Sequence, residues 1–335
     1  MLNRRHWLAF VASIPLLAMQ VSSASSQSGS APTAAPMQVV ASFSILGDLV
    51  REVGGEHVAI TTLVGPDGDA HVYEPTPQDS RRLGEARLLF ENGLDFESWL
   101  PRLVKVSPFK GKRVVLSQGI KLLPSTSADD HDHDHDEKED HDKHDDHAPH
   151  EHAHHEHALG KWDPHAWQDI ANVLVYVKNI EAALADADPA HAAEYKERAA
   201  AYSAKLEALQ ATLKQRFEAI PADQRRVVTT HSAFRYLGRA FGITFSSLQG
   251  LSSEAEPSAA DMARIIDSIR IGGIRAVFAE NITNTRLLEQ ISSATGVRIG
   301  GRLYSDALAK PGEPAGTYIG LMEWNAGQLI TALGQ

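Results

Sequence analysis

Residues 188–221 read DPAHAAEYKERAAAYSAKLEALQATLKQRFEAIP and predict one long helix that divides the chain into two halves. Asp188 and Pro189 are a favourable N-cap and first-turn pair, and Pro221 ends the helical pattern. Apolar residues recur at steps of three and four along the run: Tyr195, Ala199, Tyr202, Leu206, Leu209, Leu213, Phe217 and Ile220. About 31 residues rising 1.5 Å each give a rod of roughly 45 Å, longer than a small domain is wide. We interpret the run as a rigid connector between two lobes, with a coiled-coil segment as the alternative.

Both halves alternate short apolar runs with helical patterns. The predicted strands are 39–43, 58–64, 88–90 and 114–116 in the first half and 226–230, 243–248, 276–279 and 297–299 in the second. The helices between them include 96–104 and 232–241. Such alternation indicates mostly parallel sheets that are covered on both faces. The sequence therefore predicts two similar α/β lobes, 37–187 and 222–335, joined by the linking helix 188–221.

The composition is that of a folded protein with one strongly acidic segment. The chain has 335 residues, of which 43% are hydrophobic, enough for two domains of ordinary size. Its net charge of -11 comes from residues 129–158, which contain 13 Asp or Glu against two Lys. No block of Lys and Arg follows the N-terminus, so we expect no nucleic-acid partner. The net negative charge is therefore confined to residues 129–158, where it favours the binding of cations.

The N-terminus has the pattern of an export signal. Arg4 and Arg5 precede a short apolar segment and a cleavage site at Ala24, which predicts a signal peptide over 1–24 and a flexible leader over 25–36. The arginine pair also fits a twin-arginine signal, so Sec and twin-arginine export both stay open. The apolar segment is shorter than the roughly 20 residues of a membrane-spanning helix. The chain has no cysteine, which a bacterial lipoprotein needs at its cleavage site, so we expect a soluble periplasmic protein that is not lipid-anchored.

Residues 129–158 predict a solvated loop that binds metal weakly. The segment has no apolar period and cannot form a core, because histidines alternate with Asp and Glu throughout it. Its histidines are His131, His133, His135, His141, His144, His147, His150, His152, His154, His155 and His157. A solvated charged segment without a metal role is one alternative, and an affinity tag is another. The tag is disfavoured because the run is internal and interleaved with Asp.

Outside this loop, four side chains are candidates for an ordered metal site. His71, His231 and Asp306 each follow a predicted strand, where loops of parallel sheets converge on a crevice. His165 lies between two tryptophans, directly after Pro164, and is therefore held in one place. Without cysteine, any site must be built from nitrogen and oxygen, and these four donors suffice for a tetrahedral zinc site. Taken singly, His71 and His231 also fit partners of a backbone carbonyl, and Asp306 fits a helix cap.

Four motifs resemble, in order, those of the metal-specific solute-binding proteins of ABC importers. They are HVYEPTP from His71, WDPHAWQD around His165, THSAFRYLGRAFGI around His231 and LYSDAL around Asp306, with GLSSEAEPSAADM between the last two. The resemblance covers nearly all of residues 38–333. It implies two α/β lobes joined by one long helix, a metal cleft between the lobes, and His71, His165, His231 and Asp306 as the ligands.

The resemblance also implies zinc. Members with an acidic, histidine-rich loop ahead of the second ligand are typically zinc binders, and manganese members generally carry Glu where this chain has His231. We therefore expect one tight Zn(II) site plus weaker sites in the loop. The chain departs from some zinc members at Ala70, where they have Glu, and it lacks the cysteine pair of other relatives, so the coordination number stays open. Glu280 is a candidate supporting or substitute ligand, with an ordinary salt bridge as the alternative.

The implied function is capture of periplasmic Zn(II) and its delivery to an ABC importer. The implied partner is the membrane permease, with a periplasmic metallochaperone as a second candidate, and we expect a monomer. The alternatives are a protein for manganese or another divalent metal, and a periplasmic zinc buffer or adhesin without transport. An exported zinc hydrolase is disfavoured, because no HExxH motif is present and no Glu stands ready as a general base. We expect a protein that is not an enzyme.

Overall fold

The computed structural model describes residues 35–125, 161–250, 258–271 and 273–334. The predicted signal peptide, most of the leader and the histidine-rich loop 129–158 lie outside these residues. The first lobe contains β1 (Met37–Phe43), α1 (Ser44–Gly54), β2 (Val58–Val64), α2 (Pro77–Glu85), β3 (Leu88–Glu91), α3 (Leu100–Val106) and β4 (Lys112–Val115). Its four strands are parallel and lie in the order β2-β1-β3-β4.

The position of β1 in the centre of this sheet follows from its sequence. The run from Val39 to Phe43 is fully buried, as expected for a parallel strand covered on both faces. Val40 pairs with Thr61 of β2 on one side and with Leu89 of β3 on the other. Strand order reverses between β1 and β3, and such a reversal opens a crevice at the carboxyl ends of the strands.

Two helices lead from the first lobe to the second: α4 (Ile170–Ala187) and α5 (Ala192–Glu218). The helix α5 begins later than the predicted linking helix, because Pro189–His191 forms a separate 3₁₀ turn. It also ends before Pro221, since a proline disfavours helical geometry in the residue that precedes it. Its buried face contains Tyr195, Ala199, Tyr202, Leu206, Leu213 and Phe217. This helix contacts α1 and α4.

The second lobe repeats the architecture of the first. It contains β5 (Arg226–Thr229), α6 (Arg235–Phe241), β6 (Thr244–Ser247), α7 (Ala259–Ile271), β7 (Ala276–Glu280), α8 (Arg286–Thr295), β8 (Arg298–Leu303) and α9 (Tyr318–Leu333). Its parallel strands lie in the order β6-β5-β7-β8, equivalent to the order in the first sheet. The connector α5 contacts α6 and α9 of this lobe. The prediction of two α/β lobes with parallel sheets and a long connecting helix is confirmed.

Two helices begin later than their sequence patterns predict. The helix α3 starts at Leu100, because Leu94 and Asp95 adopt left-handed backbone angles and Pro101 opens the first helical turn. The helix α6 starts at Arg235, because the chain after β5 first forms an irregular turn in which the Ala233 N–H donates to the His231 carbonyl oxygen. Both delays leave non-helical backbone near the crevice.

The largest hydrophobic core extends through both lobes, and each lobe also has a smaller core of its own. Fully buried Trp167, Tyr176, Tyr195, Tyr236 and Tyr318 belong to the largest core, and they come from the segments on both sides of the connector. The core runs from β1 to α9, so the lobes pack directly against each other. Among the described residues, no helix has the length and the apolar content to cross a bilayer.

Candidate metal centre

Four side chains from four separate segments meet between the lobes. His71 lies in the loop between β2 and α2, and His165 directly precedes the 3₁₀ turn before α4. His231 follows β5 by two residues, and Asp306 lies in the loop after β8. The side chain of His71 is 8% exposed, and those of the other three are completely buried. The four side chains offer one donor atom each, and these atoms all lie within 4.8 Å of one another.

The distances among these donor atoms have the size that a tetrahedral metal site requires. Nε2 of His71 lies 3.4 Å from Nε2 of His165 and 3.4 Å from Oδ2 of Asp306. Oδ2 of Asp306 lies 3.1 Å from Nε2 of His231, and Oδ1 of Asp306 lies 3.7 Å from Nε2 of His165. Metal–ligand bonds of about 2.0–2.2 Å place tetrahedral ligands about 3.4 Å apart. The residues therefore surround a point that is suited to one ion.

The buried polar atoms at this point are not satisfied by hydrogen bonds. Both carboxylate oxygens of Asp306 and Nε2 of His231 have no aligned hydrogen-bond partner among the described residues, and the same holds for Nδ1 of His231 and Oε2 of Glu280. Burying polar atoms without partners is costly, so such groups in a native protein call for an explanation. A bound cation would supply the missing partner to Asp306 and to Nε2 of His231, and this donor set therefore fits a metal.

In two of the three histidines, a carboxylate oxygen lies close to Nδ1, the ring nitrogen that faces away from the centre. Asp163 Oδ1 lies 2.9 Å from Nδ1 of His165 and accepts from the His165 backbone N–H at 3.0 Å. Glu280 Oε2 lies 2.5 Å from Nδ1 of His231, and Glu280 Oε1 accepts from the His231 backbone N–H at 2.8 Å. Such contacts fix the ring orientation and tautomer of a metal-binding histidine. Glu280 thus contacts the outer nitrogen of His231, and its position favours a supporting role over that of a substitute ligand.

Sequence reasoning missed Asp163. Its signal is present in WDPHAW, where a carboxylate stands two residues before the histidine, but a residue before proline is easily interpreted as part of a turn. In the structure Asp163 is completely buried, and its second oxygen lies 3.5 Å from Arg235 Nη1.

The ring of His71 is fixed by packing. It meets the edge of Phe96 with ring centroids 4.7 Å apart, and Phe96 in turn packs against Trp167 at 4.7 Å. The backbone N–H of His71 donates to Asp69 Oδ1 at 2.9 Å, and Trp99 Nε1 donates to the carbonyl oxygen of Ala70 at 2.8 Å. These contacts hold the loop after β2 in place and line one side of the centre with aromatic rings.

Direct hydrogen bonds tie the segment that carries His165 to the loop that carries Asp306. Trp167 Nε1 donates to the Ser305 carbonyl oxygen at 2.8 Å, and Gln168 Nε2 donates to the same oxygen at 2.7 Å. The Tyr318 hydroxyl donates to the Trp167 carbonyl oxygen at 2.8 Å. The two lobes are thereby joined beside the candidate metal centre.

Charges at the centre stabilise one another. Burial opposes the charged form of His231, but the carboxylates of Glu280 and Asp306 outweigh it and raise the pKa of His231 well above its usual value. Burial likewise opposes ionisation of Asp306, yet His231 and His165 lower the pKa of Asp306 well below its usual value. Without a metal, the imidazolium of His231 therefore balances the buried carboxylates.

Comparisons with known proteins agree with this arrangement. The family described as "ZnuA: Zinc-uptake complex component A periplasmic" matches residues 39–332. The iron-binding protein YfeA of Yersinia pestis is 31% identical over 306 residues, which are 90% of this chain and 88% of YfeA. The manganese-binding lipoprotein MntA of Halalkalibacterium halodurans is 31% identical over 299 residues, 89% of each chain. The substrate-binding lipoprotein SloC of a metal ABC transporter in Streptococcus mutans is 28% identical over 305 residues, 89% of this chain and 90% of SloC.

Solved structures show the same fold. The periplasmic zinc-binding protein TroA from Treponema pallidum superposes with a TM-score of 0.76 at 28% identity, over 89% of this chain and 99% of TroA. A manganese-bound periplasmic metal-binding protein from Candidatus Liberibacter asiaticus has a TM-score of 0.73 at 27% identity, over 88% of this chain and 98% of that protein.

One prediction about location is wrong. We expected a protein that is not lipid-anchored, but the relatives MntA and SloC are lipoproteins. Our expectation rested on the absence of a cysteine from the chain, and lipoprotein relatives of nearly full coverage overturn that argument. A location outside the cytoplasm agrees with the periplasmic description of the matching family.

Proposed function

Because the chain belongs to the ZnuA family of periplasmic metal-binding proteins of ABC importers, we propose that its cargo is Zn(II), captured outside the cytoplasm and delivered to the importer's permease. The coarser part of this statement is established: the protein is a metal-binding, substrate-binding component of an ABC importer, and its family consists of transport proteins rather than enzymes. Zinc as the cargo and the residues that hold it are the proposal. A periplasmic metallochaperone as a second partner and a monomeric state stay predictions.

The single observation that carries the proposal is the convergence of three imidazoles and one carboxylate. Nε2 of His71 and Nε2 of His165 lie 3.4 Å apart, with Asp306 and His231 completing the group. Imidazole nitrogen suits zinc, whereas carboxylate and carbonyl oxygen suit manganese and magnesium. In this proposal the four side chains bind the ion, and Asp163 and Glu280 orient His165 and His231.

Manganese is the second candidate, since relatives of nearly full coverage bind it. MntA is a manganese-binding protein, and the Liberibacter structure contains manganese. YfeA binds iron, so the family serves several divalent metals. Metal analysis of the purified protein, followed by competition between zinc and manganese, decides between them. We expect zinc to displace manganese at equal free concentration, and displacement in the opposite direction would overturn the zinc proposal.

Zinc binding should weaken as the solution becomes more acidic. Metal-free His231 holds a proton, because the negative charges of Glu280 and Asp306 raise its pKa, and this proton must leave when the imidazole ligates zinc. Each proton released reduces the apparent affinity about tenfold for every unit by which the pH falls. Zinc titrations at several pH values, with calorimetry in buffers of different ionisation enthalpy, measure this release. An affinity that does not change on acidification would indicate that carboxylates alone bind the metal.

Deleting residues 129–158 should leave the tightest zinc-binding event nearly unchanged and remove several weaker ones. The segment lies outside the described residues, so the expectation rests on its sequence: a chain without large apolar residues must be ordered each time it binds an ion. The ligands of the centre between the lobes are already ordered by folding, so binding an ion there costs little further conformational entropy. Calorimetry on the deletion protein and the full chain gives the comparison. Loss of the tightest event would mean that the loop is the main site.

A further inference from the structure

A second group of metal-binding side chains lies at the start of the connector. It contains His57, His191 and Glu194, each of which offers a donor atom within 4.8 Å of the others. His57 ends the 3₁₀ turn Gly55–His57 before β2, and His191 ends the turn Pro189–His191 before α5. Glu194 lies in the first turn of α5. The group therefore joins the first lobe to the connector, and none of its members belongs to the centre described above.

The side chains of this group contact one another, and the two stacked rings must turn before both can direct a nitrogen lone pair at one ion. Nε2 of His57 lies 2.7 Å from Oε2 of Glu194, and the rings of His57 and His191 stack with centroids 3.9 Å apart and planes 18° apart. Nδ1 of His191 lies 2.7 Å from Oδ2 of Asp188, which also accepts from the Tyr195 hydroxyl at 2.8 Å. A carboxylate behind one nitrogen of an imidazole fixes the ring and leaves the other nitrogen for a metal.

We propose that His57, His191 and Glu194 form a second site for a divalent metal such as Zn(II), with Asp188 orienting His191. Two imidazole nitrogens and one carboxylate oxygen are a donor set that binds zinc together with water. Water has access, because both rings are only partly buried and Glu194 is exposed. In the metal-free arrangement a proton lies between His57 and Glu194, and the metal would take the place of that proton.

This site is separate from the centre between the lobes. His57 directly precedes the N-terminal end of β2, whereas His71 follows its C-terminal end. The two sites therefore lie at opposite ends of the strands of the first sheet. Seven residues of a parallel strand at about 3.3 Å each span on the order of 20 Å, too far for one ion to serve both. His57 and Glu194 are 137 residues apart in the chain. A metal bound to both would therefore cross-link the first lobe and the connector.

A simpler interpretation is that the cluster only holds the start of α5 in place through side-chain contacts. The contacts of Asp188 with His191 and Tyr195 satisfy that role without any metal. The two interpretations differ at Glu194, because its contact with His57 takes no part in the contacts that Asp188 makes. A variant that changes Glu194 and leaves Asp188 in place therefore separates them.

The test uses the full chain, zinc as the probe, and the substitutions Glu194→Gln and Glu197→Gln. Glu197 is an exposed carboxylate on the same helix and is the matched control for loss of one charge. Equilibrium dialysis at a series of free zinc concentrations should show one zinc equivalent fewer, or a tenfold or greater loss of affinity for one equivalent, in Glu194→Gln only. Wild type and Glu197→Gln should bind alike, because the loop and the centre between the lobes are the same in all three proteins. His191→Gln should reproduce the loss, which guards against an effect of Glu194→Gln on folding.

Anomalous diffraction at the zinc edge from crystals of the loaded full chain gives a second readout. We expect a peak within bonding distance of His57, His191 and Glu194, in addition to the peak between the lobes. Equal zinc binding by Glu194→Gln and Glu197→Gln would overturn the second site, and so would a cluster without a peak at saturating zinc. Neither result would affect the proposed cargo site, whose ligands are different.

Discussion

Replacing His231 by Ala should lower zinc affinity by a factor on the order of a hundred or more. Loss of a residue that merely supports a metal ligand typically costs 10- to 100-fold in affinity, and His231 is proposed as a ligand itself. The substitution also leaves Glu280 and Asp306 buried without the imidazolium that balances them. Competition against a chromophoric zinc chelator measures the change. The variant should be assayed both in the full chain and without residues 129–158, so that binding in the loop does not conceal the loss.

Ser305→Ala is the matched control for this experiment. Ser305 is completely buried beside Asp306, and its hydroxyl oxygen has no hydrogen-bond partner among the described residues. Its contacts to the other lobe are made by the backbone carbonyl, which the substitution retains. Zinc affinity should therefore stay within about threefold of wild type. Wild-type affinity in His231→Ala after removal of the loop would refute the proposed ligand set.

His231→Glu tests the choice of metal at the same position. A carboxylate in place of the imidazole gives the centre two nitrogen and two carboxylate donors, a harder set that suits manganese better. We expect zinc affinity to fall and the preference for zinc over manganese to shrink. An unchanged preference would mean that His231 does not determine which metal binds.

Trp167→Ala should lower the free energy of unfolding by about 3–5 kcal/mol, the range for removing a large aromatic side chain from a core. The indole is fully buried and lies 5.0 Å from the ring of Phe43 and 4.7 Å from that of Phe96, measured between centroids. The substitution also removes the hydrogen bond to the Ser305 carbonyl oxygen, which joins the lobes. Zinc affinity should fall as well, because Trp167 packs against the ring of His165. Denaturant unfolding with and without zinc measures both effects.

Trp162→Ala provides the comparison within the same motif. Trp162 is only partly buried, and its ring contacts Lys161, whose Nζ lies 5.1 Å from the ring centroid. A contact of this kind at an exposed site contributes about 0.5–1 kcal/mol. The loss of stability should be clearly smaller than in Trp167→Ala. Equal losses in the two variants would show that the buried indole has no special part in joining the lobes.

The fold could be predicted from the sequence, because each strand and helix has a recognisable pattern within a short stretch of residues. Buried strands appear as short apolar runs, and the connector appears as a helical period that ends at Pro221. The placement of His71, His231 and Asp306 after strands needed only the rule that ligands gather at the carboxyl ends of parallel strands. These inferences require no knowledge of which distant residues touch.

Contacts between distant residues had no such signal. Trp167 and Ser305 are 138 residues apart, and no period or motif relates them. The supporting role proposed for Glu280 depends on a contact across 49 residues, so the sequence left a salt bridge open as the alternative. The cluster of His57, His191 and Glu194 was missed for the same reason, since each residue alone is an unremarkable polar side chain.

The connector α5 has a consequence for recognition by the importer. It runs unbroken from Ala192 to Glu218 and contacts helices of both lobes, so it offers no extended hinge strand to absorb a large rotation. We therefore expect the two lobes to keep nearly the same arrangement when the cargo binds. We also expect the permease to sense the cargo through small changes in the loops around His71 and Asp306.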